Sequence, residues 1–118
     1  MAQSEARVIL QKVAGVIVAP LPDPVHDGFL EELRHAILDY MHHNAISGLI
    51  LDLSGVELLD QHDFEEIRKV SECVVLMGAP VVLAAMKPGV AAGLTMLDVD
   101  DAWAVSSMSV ESAMELLR

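Results

Sequence analysis

The most informative part of this chain is the stretch Gly48-Leu-Ile-Leu-Asp52-Leu-Ser54-Gly55-Val-Glu-Leu-Leu-Asp60-Gln61. Its beginning is almost uniformly apolar, which predicts a short buried strand. The Ser-Gly pair that follows is typical of a tight loop. The segment therefore predicts a strand, a loop and the start of a helix that presents the side chain of residue 61.

Apolar patterns on both sides of this stretch alternate between strand-like and helix-like periods. Short β-branched runs at Val8–Leu10 and Gly15–Val18 predict an opening hairpin or a bent pair of strands, and Val81–Ala85 and Trp103–Val105 predict two more strands. Apolar residues at three- and four-residue spacing predict four helices. Their inner faces are Leu30, Leu33, Ile37 and Met41; Phe64, Ile67, Val70, Val74 and Met77; Val90, Leu94 and Leu97; and Val110, Met114 and Leu117.

Residue types with known positional preferences mark the ends of these helices. Asp27 is the expected N-cap of the first helix, and Asn44 its expected end. The second helix is expected to end at Gly78, and Pro88 suits the first turn of the third. Ser109 is expected to cap the last helix.

Strands that alternate with helices require a mainly parallel sheet, because parallel neighbours are joined by crossover connections. The N-terminal hairpin adds one antiparallel edge. We therefore expect an α/β fold with a mixed five-stranded sheet and about four helices. At 118 residues the chain is long enough for one core, and we expect a single domain over residues 1–118.

Composition narrows the classes of function. The chain has a formal net charge of −11 and only seven Lys and Arg residues, which argues against nucleic-acid binding. The N-terminus lacks a signal segment and no apolar run is long enough to cross a bilayer, so a cytoplasmic protein is expected. Cys73 is the only cysteine, which rules out an internal disulfide and favours a packing role in a helix.

Three more segments are similar in sequence to a known family: Val74–Leu83, Lys87–Ala91 and Met108–Leu116. With the stretch from Gly48 to Gln61, they resemble the STAS family (sulfate transporter and anti-sigma factor antagonist domains) over nearly the whole chain. The resemblance is strongest to small single-domain scaffold and antagonist proteins of the bacterial stressosome. It implies the fold deduced above, together with a loop in which a partner kinase phosphorylates the Ser or Thr that follows the second Asp.

Gln61 stands at that position and carries no hydroxyl. The resemblance implies a partner-binding loop, and the physics explains why such a loop acts as a switch. A helix start accommodates a phosphate, yet the phosphate adds nearly two negative charges to the surface that a partner meets. The residues assigned to this loop are Ser54, Gly55, Asp60, Gln61, His62 and Asp63.

Two functions follow from this reading. As a regulatory module, the protein binds a switch kinase or anti-sigma factor and is never modified at residue 61. As a structural scaffold, it assembles with itself or with sensor-bearing STAS paralogues. Both readings imply a homo- or hetero-oligomer or a protein partner, without nucleic acid, membrane or cofactor.

Other hydroxyl groups are candidates for modification. Ser54 is the nearest alternative phosphoacceptor, although a hydroxyl at a strand exit more often bonds to its own turn. Thr95 lies near the place where sensor-bearing relatives carry a second modified Thr, but Gly93 aligns better with that place. Ser106, Ser107 and Ser109 are most simply helix caps. These last three were therefore not assigned to the site.

The acids at the start of the second helix also allow more than one interpretation. Their negative charges interact favourably with the positive end of the helix dipole, and they could also imitate a partly phosphorylated loop. These acids are Asp60, Asp63, Glu65 and Glu66. His62 lies among them, but adjacent side chains at a helix start diverge, so no metal site is expected.

An enzyme is not expected either, because the chain lacks a nucleophile elbow and a Gly-rich phosphate loop. A phosphoacceptor receiver domain is the nearest competing class, since Asp52 ends a strand and Lys87 follows another. That chemistry needs an acidic pair after an early strand to hold Mg²⁺, and Ala19-Pro-Leu-Pro22 supplies none.

Overall fold

A computed structural model describes residues 8–97 and 102–118 of the chain. The strands are β1 (Gln11–Val13), β2 (Val16–Pro20), β3 (Gly48–Asp52), β4 (Val81–Ala84) and β5 (Ser106–Ser107). The helices are α1 (Asp27–His43), α2 (Gln61–Leu76), α3 (Pro88–Met96) and α4 (Val110–Leu116).

The strands form one sheet in the order β1-β2-β3-β4-β5. β1 pairs antiparallel with β2, and every other pair is parallel. The predicted mixed five-stranded sheet with an antiparallel N-terminal edge and four helices is confirmed. Within residues 8–97 and 102–118, no helix combines the length and apolar character that a bilayer crossing needs.

The central strands are apolar throughout because both faces of the sheet are covered. Alternate residues of β3 point to opposite faces, so Leu49 and Leu51 pack under α1 and α2, while Ile50 packs against α4. Ala113 of α4 is buried against that second face. Burial on both faces holds the end of β3, and with it the loop that follows, in a fixed place.

The first strand was predicted too early in the chain. Val8–Leu10 was expected to be a strand, but pairing with β2 begins at Gln11, and Val13 lies opposite Val16. The two residues between them have positive φ, +51° at Ala14 and +84° at Gly15. Positive φ at both central residues gives a two-residue hairpin turn whose twist matches the strands, and this turn sets the register.

The start of α1 also differs from the prediction. The N-cap is His26 rather than Asp27, and its ring Nδ1 accepts a hydrogen bond from the backbone amide of Phe29 at 3.1 Å. Asp27 is instead the first helical residue, where a carboxylate still favours the helix dipole. Asn44 is the C-cap, as predicted.

The last strand was misplaced as well. Trp103–Val105 was predicted to be the strand, but the pairing strand is Ser106–Ser107. The Trp103 ring packs on Phe64, with 4.9 Å between ring centroids. Trp103 is half-buried against the core, and strand pairing begins further along the chain, where the Leu83 amide donates to the Val105 carbonyl.

Two residues assigned to inner helix faces are exposed instead. Met77 and Leu97 are the C-cap residues of α2 and α3 and keep 49% and 50% of their surface accessible. Gly78 follows the end of α2 with φ of +104°, the left-handed conformation that favours glycine after a helix, so the predicted end of that helix is confirmed.

Candidate functional site

Three loops meet at the edge of the sheet where β2, β3 and β4 end. They follow Pro20, Asp52 and Ala84, which are aligned in the parallel register. Glu57 joins the loops, because its amide donates to the Asp23 carboxylate at 3.2 Å and its own carboxylate forms an ion pair with Lys87. This edge therefore carries a braced surface formed from segments that are distant in the sequence.

The loop after β3 begins with a tight turn. The Asp52 carboxylate accepts a hydrogen bond from the Ser54 amide at 2.9 Å, and the Val56 amide donates to the Leu53 carbonyl at 3.0 Å. The Ser54 hydroxyl was predicted to bond to this turn. The Asp52 carboxylate makes the bond that holds the turn instead. Ser54 and Gly55 are both exposed at the surface.

The rest of this loop alternates between buried and exposed residues. Val56 and Leu59 keep 1% and 5% of their surface accessible, whereas Leu58 between them keeps 77%. The buried pair fixes the loop to the core and leaves Leu58 pointing to solvent beside the helix start. Sequence analysis did not identify Leu58, because an apolar residue among apolar neighbours gives no signal of exposure.

Asp60 ends the loop as the N-cap of α2. Its carboxylate accepts the Asp63 amide at 2.7 Å, and the Asp63 carboxylate accepts the Asp60 amide at 3.2 Å. The hydrogen bond from the Asp63 amide lowers the pKa of Asp60, because it stabilises the charged form. Partial burial raises the pKa of Asp63.

Gln61 is the first residue of α2 and is exposed. The structure thus places its side chain at the mouth of the helix, next to a closed capping box. Gly55, Asp60, Gln61 and His62 all lie on the exposed surface of this loop and helix start, with Asp63 half-buried beside them.

His62 connects the two helices that border the surface. Its Nε2 lies 2.9 and 3.0 Å from the two carboxylate oxygens of Asp27, the first residue of α1. The hydrogen bond and charge of Asp27 raise the pKa of His62. No signal in the sequence indicated this contact between residues 35 positions apart.

Acidic side chains dominate the region between α1 and α2. The cations there are paired: Lys69 lies 2.8 Å from Glu66, and Arg34 lies 2.8 Å from Glu31. A cleft of about 400 Å³ between the helices is lined in part by these four side chains. Among the described residues, His, Cys, Asp and Glu form no group of three or more suited to a metal ion.

The other hydroxyl residues lie elsewhere in the fold. Ser109 caps α4 by accepting the Ser112 amide at 3.0 Å, as predicted. Ser106 and Ser107 are not caps, because they form β5. The Thr95 hydroxyl donates to the Ala91 carbonyl within α3.

No protein-family model matches the sequence. No curated protein matches it either. Solved structures do match.

A serine-to-glutamate variant of Moorella thermoacetica RsbS is 25% identical, with 95% of each chain covered and a TM-score of 0.78. A structure described as the molecular architecture of the stressosome, a signal integration and transduction hub, is 25% identical, covering 92% of this chain and 95% of the other with a TM-score of 0.78. The anti-sigma factor antagonist SpoIIAA in its unphosphorylated form is 15% identical, with 95% and 96% covered and a TM-score of 0.71. The likeness to SpoIIAA concerns the fold alone.

These matches define the class as proteins with the STAS fold. The chain is similar in structure to stressosome and anti-sigma antagonist proteins, so the resemblance drawn from its sequence is confirmed. The two matches at 25% identity support a stressosome-like role.

Proposed function

We propose that this protein binds a switch kinase or anti-sigma factor in bacterial stress signalling, through the loop and helix start around Gln61. The observation that carries the proposal is the position of Gln61, an exposed side chain at the first residue of α2 in a STAS-fold protein. A carboxamide lacks the hydroxyl that a kinase phosphorylates, so phosphorylation cannot change the charge at position 61. In that role the protein acts in the cytoplasm as a permanently competent binder.

Charge is the property that a modified residue would change at this surface. Phosphorylation adds nearly two negative charges, and a partner that meets the helix start must then desolvate them. The compared structures include a glutamate variant of RsbS and an unphosphorylated form of SpoIIAA, so acidic charge and phosphorylation are variables in those proteins. Gln61 is neutral and still offers hydrogen bonds to a partner.

A second candidate function is that of a structural scaffold which assembles with itself or with STAS paralogues. A groove of about 550 Å³ at the far end of α2 favours it, because the groove is lined largely by apolar side chains that include Val75, Leu76 and Val105. Exposed apolar surface of this kind marks sites of protein association. This groove is separate from the surface around Gln61, so the two functions are compatible.

A binding measurement with three variants tests the first proposal. The probe is a purified switch kinase from the same bacterium, immobilised on a sensor. Gln61→Glu adds one charge with little change of shape, and we expect capture to weaken about tenfold or more, because a charge at an interface that is not paired there loses its hydration. Gln61→Met is the neutral control of similar length and should bind within a few-fold of the wild type.

The outcomes separate the two functions. Equal affinity of Gln61→Glu and the wild type would count against the regulatory role. Light scattering at micromolar concentration tests the scaffold role, for which we expect a particle well above 12.7 kDa. A strict monomer would remove that role and leave the first untouched.

A further inference from the structure

Leu58 is an exposed leucine next to the residue that decides the proposed function. It keeps 77% of its surface accessible, although both apolar neighbours in the loop are buried. Its Cα lies three residues before Gln61 and therefore within about 11 Å of it. Covering a large apolar side chain at this place removes its surface from water and so stabilises a complex.

The loop that carries Leu58 is held on both sides. Before it, Glu57 is bonded to Asp23 and paired with Lys87, which fixes the chain to two other loops. After it, Leu59 is buried and Asp60 closes the capping box of α2. A side chain presented by such a braced loop loses little conformational freedom when it is bound.

The loop that carries this leucine and the adjoining helix starts also carry charged groups. Glu57 precedes it, Asp60 follows it, and the adjoining helix starts contribute Asp27 and Asp63. Lys87 is already paired with Glu57, and His62 with Asp27. An apolar residue within a polar, charged border is the arrangement that binding hot spots adopt.

An exposed leucine elsewhere in the fold provides a control. Leu116 of α4 keeps 58% of its surface accessible. Its neighbour Leu117 lies against Gly48, the first residue of β3, so Leu116 is at the edge of the sheet opposite the loop that carries Leu58. Leu116 has the same chemistry and lies outside both the surface around Gln61 and the groove at the far end of α2.

We propose that Leu58 is the apolar anchor of the partner-binding surface, an inference that rests on the proposed function. The partner is a protein surface with an apolar pocket for Leu58 and Lys or Arg side chains around that pocket, opposite the acids of this chain. Position 61 then lies beside the centre of the contact, from which water is excluded. A charge added there loses its hydration, so we expect it to weaken binding even though the border of the partner is basic.

The test measures affinity for the same immobilised switch kinase. We expect Leu58→Ser to weaken capture about tenfold or more, Leu58→Met to keep it within a few-fold of the wild type, and Leu116→Ser to leave it unchanged. Thermal unfolding of each variant confirms that the fold is intact. Raising the salt concentration should weaken wild-type capture, because the charged border is screened.

Each other result overturns a defined statement. If Leu58→Ser binds the kinase as tightly as the wild type does, Leu58 is not the anchor, and the proposed function still stands. Equal losses in Leu58→Ser and Leu116→Ser also overturn the anchor, since the effect would not depend on the position of the leucine. If capture does not change with salt concentration, the partner does not have the proposed border of Lys or Arg side chains. Absence of capture by the wild type overturns the proposed function, and the anchor with it.

Discussion

Asp60 and Asp63 cap α2 reciprocally, each carboxylate accepting the backbone amide of the other residue at 2.7 and 3.2 Å. Gln61 lies between them in the sequence, so the same two bonds that begin the helix also fix the backbone from which its side chain projects. The geometry of the candidate site is therefore set by the cap and not by Gln61 itself. We therefore expect an exchange of the side chain at this position to leave the fold intact.

The cap gives the first prediction, which concerns stability. We expect Asp60→Ala to lower the free energy of unfolding by about 1 kcal/mol, because the Asp63 amide loses its acceptor. Asp60→Asn keeps an acceptor oxygen and should lose only part of that amount. Urea denaturation measures both, and equal stability of Asp60→Ala and the wild type would contradict the prediction.

This stabilisation also depends on pH in a defined direction. The folded-state pKa of Asp60 is lowered by the bond from the Asp63 amide. The contribution is therefore present above the ordinary pKa of an aspartate and is lost as pH falls through the folded-state value. The difference in stability between the wild type and Asp60→Ala should shrink on acidification.

The contact between His62 and Asp27 gives the second prediction. Asp27 raises the pKa of His62 above its unfolded value, so its stabilising effect is complete below that unfolded value and is lost as pH rises through the folded-state pKa. An NMR titration of the His62 ring should show a midpoint above that of an ordinary histidine. Asp27→Asn should lower the midpoint, while Asp39→Asn at the other end of α1 should leave it unchanged. A midpoint insensitive to Asp27→Asn would refute the contact.

The hairpin turn gives the third prediction. Gly15 has φ of +84°, and a Cβ there would lie 2.9 Å from the Ser47 hydroxyl oxygen. Gly15→Ala should therefore destabilise the fold by about 1 kcal/mol or more. Ala14 has φ of +51°, which suits asparagine better than alanine, so Ala14→Asn should stabilise the protein by a few tenths of a kcal/mol. A lower urea midpoint for Gly15→Ala together with a higher midpoint for Ala14→Asn would confirm the turn. Shifts of the two midpoints in the same direction would contradict it.

The fold was predictable because its signals are local and repeated. The apolar run before Asp52 and the helical spacing of Phe64, Ile67, Val70 and Val74 identify β3 and α2 without any long-range information. The confirmed position of Gln61 follows from those two elements. Turn residues and caps at Asn44, Gly78 and Ser109 were predicted for the same reason, since each depends on backbone needs within a few residues.

The errors arise where tertiary structure overrides a local preference. His26 caps α1 although aspartate is the more common cap, because its ring is placed to accept from Phe29. Trp103 looks like a strand residue but packs on Phe64. The pairing of His62 with Asp27 depends on how two helices are placed side by side, and no spacing rule along the chain reports that.

The fourth prediction concerns phosphorylation of the loop. Incubation of the wild type with the switch kinase and ATP should leave the peptide that contains Gln61 unmodified, because the carboxamide has no hydroxyl. Gln61→Ser places a hydroxyl at an exposed helix start, where the resemblance implies a phosphoacceptor, and we expect it to become phosphorylated there. Peptide mass spectrometry locates the added phosphate.

Ser54 serves as the internal comparison in that experiment. It is exposed in the same loop and is the alternative acceptor that the sequence analysis proposed. Phosphate on Ser54 of the wild type would show that the surface is switched after all, in which case Ser54→Ala should abolish the modification. An unmodified wild type beside a modified Gln61→Ser would show that the kinase recognises the loop and that the side chain at position 61 alone prevents the reaction.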